Sequence, residues 1–305
     1  MIVITGAGPI GTTIARQYAD AGVAVRVLTR SGSGPEHPLV ERRRVDVTDP
    51  AAVREALADA TVVHHCVHAS AYLAEVWERE LPAMEQVVLD AAAAVGAVVV
   101  FPESLYAFDL SGVVTETTPM NGRPGKPAVR RALLAARAAS PARTVSVVAS
   151  DYFGPGAGAA AHAGDRMVGP ATSGSTVRPV GDVDQPHSWT YLPDLAAAMI
   201  RAAELPALPD RLLLAPTSAP RTQREVAEAY AAAAGRDRVR IAPLRPWLVR
   251  LVGRFHRDTA GIAEMLHLFT APQVMDSRAT EELLGLSPTP WDVAVKETVD
   301  AASHS

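Results

Sequence analysis

The chain has 305 residues, and its formal net charge of -4 leaves no basic excess to neutralise a phosphate backbone, which disfavours nucleic-acid binding. A single cysteine, Cys66, cannot form an internal disulfide and fits a reducing compartment. The N-terminus has no basic leader, and the longest apolar run, residues 91–101, is too short to span a bilayer. We therefore expect a cytoplasmic protein without a signal peptide or a membrane partner.

The first eleven residues predict a strand, a glycine loop and the start of a helix. Ile2–Thr5 is apolar or β-branched, and Gly6, Gly8 and Gly11 follow with G-x-G-x-x-G spacing before a helical pattern. In such a loop the glycines allow a sharp turn, close approach of a pyrophosphate and tight helix packing. The expected cofactor ligands are Gly6, Gly8, Pro9, Ile10 and Gly11. A tight turn without a ligand is the alternative.

The end of the second predicted strand, Val23–Thr29, distinguishes NADP from NAD. An acidic residue here would bind the ribose 2′-hydroxyl of NAD, but this chain has Arg30 and Ser31. Arginine can pair with a 2′-phosphate and serine can hydrogen-bond to it, so the pattern favours NADP over NAD. The alternative for Arg30 is a solvated surface cation.

The third and fourth predicted strands end in further candidate residues. Arg42–Val47 is the third strand, and its Asp46 and the backbone of Val47 are expected to contact the adenine. Thr61–Val67 is the fourth, and at its end His65 or His68 is expected to line the nicotinamide ribose. The neighbouring His and Cys residues suggest a metal, but alternate side chains on a strand point to opposite faces, so we expect no metal site.

A fifth strand, Ala97–Phe101, follows a long helix over residues 71–95. Ser104 and Tyr106 come next, at the carboxyl end of a central strand, where open α/β sheets bind ligands. The alternation of strands and helices predicts a doubly wound parallel sheet of the Rossmann type with a smaller C-terminal lobe. We assign residues 1–150, joined by 180–217, to an NAD(P)-binding domain and 151–305 mainly to a substrate-binding lobe.

Together these segments resemble the extended or atypical short-chain dehydrogenase/reductase superfamily, in particular the NAD-dependent epimerase/dehydratase family. Ser104 matches the family's hydroxyl position, four residues ahead of Phe108-Asp109, where the family has Tyr-Gly. The family's Tyr-x-x-x-Lys motif is incomplete, because Lys126 is present but Gly122 replaces the tyrosine. That tyrosine serves as general acid or base in the family. Tyr106 is therefore the expected substitute proton donor, and pocket lining is its alternative role.

The resemblance also covers the second half of the chain. The turn at residues 150–156 resembles the family's Tyr-Gly-Pro-Gly turn and places Tyr152 near substrate, and His187 and Trp189 are further candidate substrate contacts. Residues 157–175 are small and Gly-rich, which suggests either a mobile flap or an ordinary solvated loop. Asp194 is expected to cap a helix over Leu195–Glu204.

Three functions are compatible with these residues. The first is an NADP-dependent oxidoreductase or epimerase that acts on a hydroxyl or carbonyl of a small metabolite, with a non-standard proton donor. The second is a non-redox isomerase, cyclase or lyase with a structural cofactor, and the third is a non-enzymatic NADP-binding protein. Among the partners, a small-molecule substrate is expected and a homodimer is left open.

Overall fold

The computed structural model describes residues 1–205 and 210–303. The chain divides into two compact units, each described separately below. The first unit comprises Met1–Ala107, Gly122–Val148 and Leu195–Ala215. The second comprises Phe108–Asn121, Ala149–Asp194 and Pro216–Ser305.

The first unit is built on a seven-stranded sheet. Its strands are β1 (Ile2–Thr5), β2 (Val25–Thr29), β3 (Val40–Arg44), β4 (Val62–His65), β5 (Val98–Ser104), β6 (Arg143–Ala149) and β10 (Asp210–Leu214). Their order in the sheet is β10-β6-β5-β4-β1-β2-β3. The pairings of β1 with β2 and β4, of β2 with β3, of β4 with β5 and of β6 with β10 are parallel. The doubly wound α/β prediction is confirmed.

Helices connect these strands, and local sequence signals explain where they begin and end. The helices that connect the sheet are α1 (Pro9–Asp20), α2 (Pro50–Ala56), α3 (Ala74–Val95), α4 (Lys126–Ala139) and α6 (Leu192–Ala203), with a 3₁₀ turn at Leu105–Ala107. The carboxylate of Asp49 accepts hydrogen bonds from the first turn of α2, and Pro50 occupies its first position. Gly96 ends α3 in the left-handed conformation with a φ of 69°.

One apolar core of the first unit lies between the sheet and its helices. Strand residues such as Val3 and Val63 are fully buried there. Helix residues such as Trp77, Val88 and Leu133 pack against them. Because both faces of a parallel sheet are covered by helices, its strands are nearly continuous apolar runs.

The second unit contains short strands and helices around its own core. The strands form two parallel pairs, β7 with β9 and β8 with β11. Its elements are β7 (Asp151–Phe153), α5 (Asp165–Ser173), β8 (Thr176–Val177), β9 (Trp189–Tyr191), α7 (Gln223–Ala233), β11 (Arg240–Ile241), α8 (Pro246–Gly253), α9 (Arg257–Glu264), a 3₁₀ turn (Leu266–Phe269), α10 (Arg278–Leu284) and α11 (Trp291–Ser303). No helix within the described part of the chain is both long and apolar enough to cross a membrane.

Three local predictions were wrong. The third strand ends at Arg44, because it pairs in register with β2 and stops opposite Thr29, so Asp46 lies beyond it. Residues 157–175 are not a loop throughout: they contain α5, whose Met167 is buried in the core of the second unit. Asp194 lies inside α6 rather than at its N-cap, and its carboxylate accepts hydrogen bonds from the N–H and Oγ1 of Thr289, both at 2.7 Å.

Candidate cofactor and active site

The glycine loop joins β1 to α1, and its three glycines have different surroundings. Gly6 has a φ of 89°, and a Cβ there would lie 3.0 Å from the carbonyl oxygen of Cys66. A Cβ on Gly11 would lie 2.1 Å from the carbonyl oxygen of Gly6, so only glycine lets α1 start this close to the loop. A Cβ on Gly8 would meet no atom within 4 Å. The loop therefore leaves open space only at its middle glycine.

That open space lies at the N-terminus of α1. Gly8 is the N-cap, no side chain caps the helix, and Pro9 occupies the first turn. A helix start of this kind presents backbone N–H groups and the positive end of the helix dipole to an anion. The loop therefore fits a pyrophosphate, with Gly8, Pro9 and Ile10 at the approach side.

The carboxyl ends of β2 and β3 form a basic edge of the sheet. Arg30 and Ser31 directly follow β2 and are exposed, and the Ser31 hydroxyl is 2.7 Å from that of Ser33. Arg44, the last residue of β3, lies opposite Thr29 in the parallel register. Arg44 was not predicted, because only the pairing of β2 with β3 brings it to the same edge as Arg30.

Asp46 is exposed at this edge, and its carboxylate accepts hydrogen bonds from the N–H of Thr48 at 3.0 Å and from its hydroxyl at 2.8 Å. These bonds, together with the charge of Arg30, lower the pKa of Asp46 below its usual value. Val47 has a buried side chain that belongs to the core, so only its backbone is left to contact a ligand. The proposal that both residues contact adenine stays a prediction.

The two adjacent histidines of β4 are core residues. His64 Nε2 lies 3.1 Å from the Tyr18 hydroxyl, and His65 Nδ1 lies 2.8 Å from the Thr5 hydroxyl. Burial lowers the pKa of His64 to about 3 and that of His65 to about 4, so both are neutral near pH 7. His65 also packs edge-on against Phe101, which gives it a structural role, and we no longer propose it as a cofactor ligand.

The side chain of Tyr106 forms a hydroxyl pair with Tyr72, with 2.7 Å between the two phenol oxygens. The ring of Tyr106 stacks on Trp77, with 6.1 Å between centroids and 7° between planes. Lys126, fully buried at the start of α4, places its Nζ 4.1 Å from the centre of the Tyr72 ring. Two half-exposed phenols therefore share a site with the lysine that the sequence singled out. Tyr72 was missed because 34 residues separate it from Tyr106.

A buried set of charged side chains lies beside the aromatic residues of this site. Arg137 donates two hydrogen bonds to Glu85, at 2.8 and 2.6 Å, and one to Glu103 at 2.9 Å. Arg130 pairs with Glu103 at 3.3 Å. Burial alone would raise the pKa of Glu85, but Arg137 more than offsets this effect, and the pKa lies below its usual value. Two arginines and two glutamates thus form a charge-balanced group inside the unit.

The charged group reaches the aromatic site through Arg130. Its guanidinium lies 4.7 Å from the centre of the Trp77 ring, and its Nη2 is 3.1 Å from His68 Nε2. Arginine can only donate, so His68 Nε2 accepts and the proton of a neutral ring is on Nδ1. The N–H of Ser104 donates to Glu103 at 2.7 Å, which fixes the end of β5. Ser104 and His68 therefore lie at the two ends of one hydrogen-bonded group in the first unit.

The remaining predicted substrate residues belong to the second unit. Tyr152 is half-buried in β7, and burial raises its pKa. Trp189 is a core residue, and its indole N–H donates to the carbonyl of Arg221 at 2.9 Å, so we withdraw it as a substrate contact. His187 is buried, and its Nε2 donates to Asp151 at 2.8 Å. Asp151 was missed, since nothing in the sequence pairs it with a histidine 36 positions away.

The parallel sheet and the glycine loop define a Rossmann-type nucleotide-binding protein. Solved structures share the whole fold. A UDP-glucose 4-epimerase from Thermus thermophilus in complex with NAD has 22% identity and a TM-score of 0.75, covering 100% of this chain and 99% of the other. A putative epimerase from Burkholderia cenocepacia has 20% identity and a TM-score of 0.79, with 100% and 98% coverage.

A third structure is a dTDP-glucose 4,6-dehydratase from Streptomyces venezuelae with NAD bound, with 17% identity, a TM-score of 0.78 and coverage of 100% of this chain and 97% of the other. The search of curated proteins found no match. The model of the NAD dependent epimerase/dehydratase family matches residues 2–211, and the chain belongs to this family. The cofactor of the family is a nicotinamide dinucleotide.

Proposed function

We propose that the protein is an NADP-dependent oxidoreductase or epimerase that acts on a hydroxyl or carbonyl carbon of a small metabolite. The observation that carries this proposal is the hydroxyl pair of Tyr106 and Tyr72 beside the buried Lys126. It provides a phenol and a lysine in one place although Gly122 occupies the position of the family tyrosine.

Several groups would hold the cofactor. The backbone of Gly8, Pro9 and Ile10 would bind the pyrophosphate, and Arg30 with Ser31 would bind the 2′-phosphate. Arg44 supports NADP further, because it brings a second guanidinium to the same edge of the sheet. The nicotinamide would supply the hydride acceptor or donor.

The protein side chains would handle the proton. Tyr106 Oη would donate a proton to a substrate oxygen or accept one from it, while the hydroxyl of Tyr72 donates to Tyr106 and stabilises the negative charge that develops there. The ammonium group of Lys126 would add a positive charge beside the phenols. Ser104, two residues before Tyr106, would hydrogen-bond to the same substrate oxygen.

Nucleotide sugars are the substrate class to test first, because the solved relatives include epimerases and dehydratases of UDP and dTDP sugars. Arg178 follows β8 and is exposed, and it is the residue of the second unit that we propose for a diphosphate. A carbonyl panel belongs in the same assay, since the missing family tyrosine leaves the reacting group open.

The test is a titration with NADPH and NADH, followed by absorbance at about 340 nm with both substrate panels. We expect tighter binding of NADPH, and we expect Arg30→Ser to weaken it by roughly 10- to 100-fold while NADH affinity stays unchanged. Arg54→Ser, at an exposed arginine of α2, is the matched control. Failure to bind either cofactor would overturn the proposed roles of Arg30 and the glycine loop. Tight binding without turnover of any substrate would favour a non-redox enzyme or a binding protein.

A further inference from the structure

The helix α8 carries an exposed apolar face that no part of the proposed function uses. Its members are Trp247, Leu248, Leu251, Val252 and the adjoining Phe255, here called the α8 apolar face. Trp247 is 59% exposed and Phe255 is 87% exposed. At 100° per residue the four positions within the helix cover about 140° of its circumference, and Phe255 follows two residues after its end. Isolated exposed apolar residues are ordinary, whereas a contiguous stripe on one helix indicates a binding surface.

The opposite side of α8 faces the second unit. Val249 is buried, and a Cβ on Gly253 would lie 3.2 Å from the Cα of Ala260 in α9. Gly253 therefore lets α8 and α9 pack closely as a helical hairpin. This packing fixes the orientation of α8 and holds the α8 apolar face toward solvent.

The charge of the same region has the opposite sign to that of the chain. Residues 238–257 contain six arginines and neither aspartate nor glutamate, although the chain has a net charge of -4. The arginines, all exposed, are Arg238, Arg240, Arg245, Arg250, Arg254 and Arg257. At 100° per residue Arg250 and Arg254 lie about 60° and 20° from Trp247, both on the side away from the other apolar residues. Cations therefore border the apolar face.

The geometry points to a membrane surface that contains anionic lipid as the partner of the α8 apolar face. A basic amphipathic helix with exposed aromatic and leucine side chains lies in the bilayer interface, where the apolar face enters the acyl boundary and arginines contact the headgroups. A second copy of the chain fits less well, because an isologous contact would place the same basic segment, residues 238–257, on both sides and would offer its arginines no acidic partner. The described residues include no membrane-spanning helix, so the attachment is peripheral.

This inference is independent of the catalytic proposal and departs from the expectation of no membrane partner. That expectation rested on the lack of a long apolar run, which excludes a spanning helix but not an interfacial one. Only the structure shows that Val249 is the buried position of α8, that Gly253 lies against α9, and that Trp247 and Phe255 are exposed.

The test is flotation of the full-length protein with vesicles. One vesicle type is pure phosphatidylcholine and the other contains equal parts of phosphatidylcholine and phosphatidylserine. We expect binding to the anionic vesicles alone, decreasing as salt is raised, with a blue shift of the total tryptophan fluorescence, to which Trp247 contributes as the exposed one of four tryptophans. Arg250→Gln/Arg254→Gln should lower the partition coefficient by roughly 30-fold, and Trp247→Ser/Phe255→Ser should abolish binding.

Two controls match these variants. Arg16→Gln/Arg54→Gln removes two exposed arginines from the first unit, and Leu283→Ser removes an exposed leucine from α10. Both should bind vesicles like the unmodified protein. Equal vesicle binding by all variants, or no binding to anionic vesicles at low salt, would overturn the inference. A protein dimer that Phe255→Ser dissociates, without vesicle binding, would instead make this face an interface between copies.

Discussion

At the scale of single residues, the two phenols are the features that separate this chain from its family pattern. The family motif has a tyrosine four residues before the lysine, but here Lys126 begins α4 after Gly125 with a φ of 76°, and Gly122 has no side chain. Tyr106 lies in the 3₁₀ turn after β5 and Tyr72 in the segment before α3, and the two meet through their hydroxyls. We interpret the two tyrosines as taking over the role of the family tyrosine, although neither occupies its position in the sequence, which is Gly122.

Tyr106→Phe should therefore lower kcat by roughly 10²- to 10⁴-fold, because it removes the group proposed to move the proton. NADPH affinity should not change, since the phosphate-binding residues are untouched. Steady-state kinetics and a binding titration measure the two quantities. Tyr18→Phe, which removes another phenol of the first unit, serves as a control for folding. Full activity of Tyr106→Phe would show that another group donates the proton.

At the scale of elements, the unit of β1, loop and α1 was predictable almost to the residue. Ile2–Thr5 was predicted as a strand and is a strand in the structure, because a short apolar, β-branched run that ends at a glycine is typical of a buried strand. The parallel register of β2 and β3 was not predictable, since it depends on pairing between strands rather than on local pattern. That register is the reason why Arg44 joined the candidate site and the third strand ended earlier than expected.

Gly8→Ala and Gly11→Ala are a matched pair that separates the two functions of the loop. Gly8 has a φ of -73° and open space around it, so alanine should change the free energy of unfolding by less than about 0.5 kcal/mol. It should nevertheless weaken NADPH binding, because a methyl group would occupy the approach to the pyrophosphate. Alanine at Gly11 meets a backbone oxygen at 2.1 Å and should cost roughly 1–3 kcal/mol.

Denaturant unfolding measures the change in unfolding free energy for both variants, and a cofactor titration measures their affinity for NADPH. If Gly8→Ala binds NADPH as tightly as the unmodified protein, the open space beside α1 is not the phosphate site. If Gly11→Ala is as stable as Gly8→Ala, then the loop and α1 can accommodate a methyl group at position 11, and their close approach does not require glycine.

At the scale of the whole molecule, the fold and the cofactor class followed from the order of strands and glycines along the chain. The proposed active-site chemistry did not, because the contacts on which the proposal rests join residues far apart in sequence. In the sequence, Tyr72 and Trp77 fall within one predicted helix as core residues. In the structure Tyr72 lies in the segment just before α3, and only the folded chain brings it and Trp77 to Tyr106. The opposite happened with His65 and Trp189. Both lie near strand ends and were expected to contact a ligand, but both are buried core residues.

The buried group of Glu85, Glu103, Arg130 and Arg137 predicts how stability depends on pH. The pKa of Glu85 is lowered in the folded protein, so its contribution is complete above the unfolded value of about 4.3 and is lost as pH falls through the folded value. Unfolding free energy measured between pH 7 and pH 3 should therefore decline toward acid.

Removing one partner of the group tests the same interaction at neutral pH. Arg137→Met leaves two buried carboxylates without their main cation and should cost roughly 3–5 kcal/mol. Arg143→Met, on the exposed first residue of β6, should change stability little. A loss for Arg137→Met no larger than that for Arg143→Met would mean that Arg137 and Glu85 are not coupled in solution.

The same four charges also constrain how the sequence can change over generations. A single replacement of Glu85, Glu103 or Arg137 by an uncharged residue leaves a buried charge without its partner and lowers stability. Replacing all the charged partners together by apolar residues can leave stability nearly unchanged. Substitutions at these positions should therefore arise in correlated sets. Arg130 and the N–H of Ser104, which border the proposed active site, both contact Glu103, so the same constraint extends to them. A substitution that alters this end of the proposed site would thus require compensating changes in the buried parts of α3 and α4.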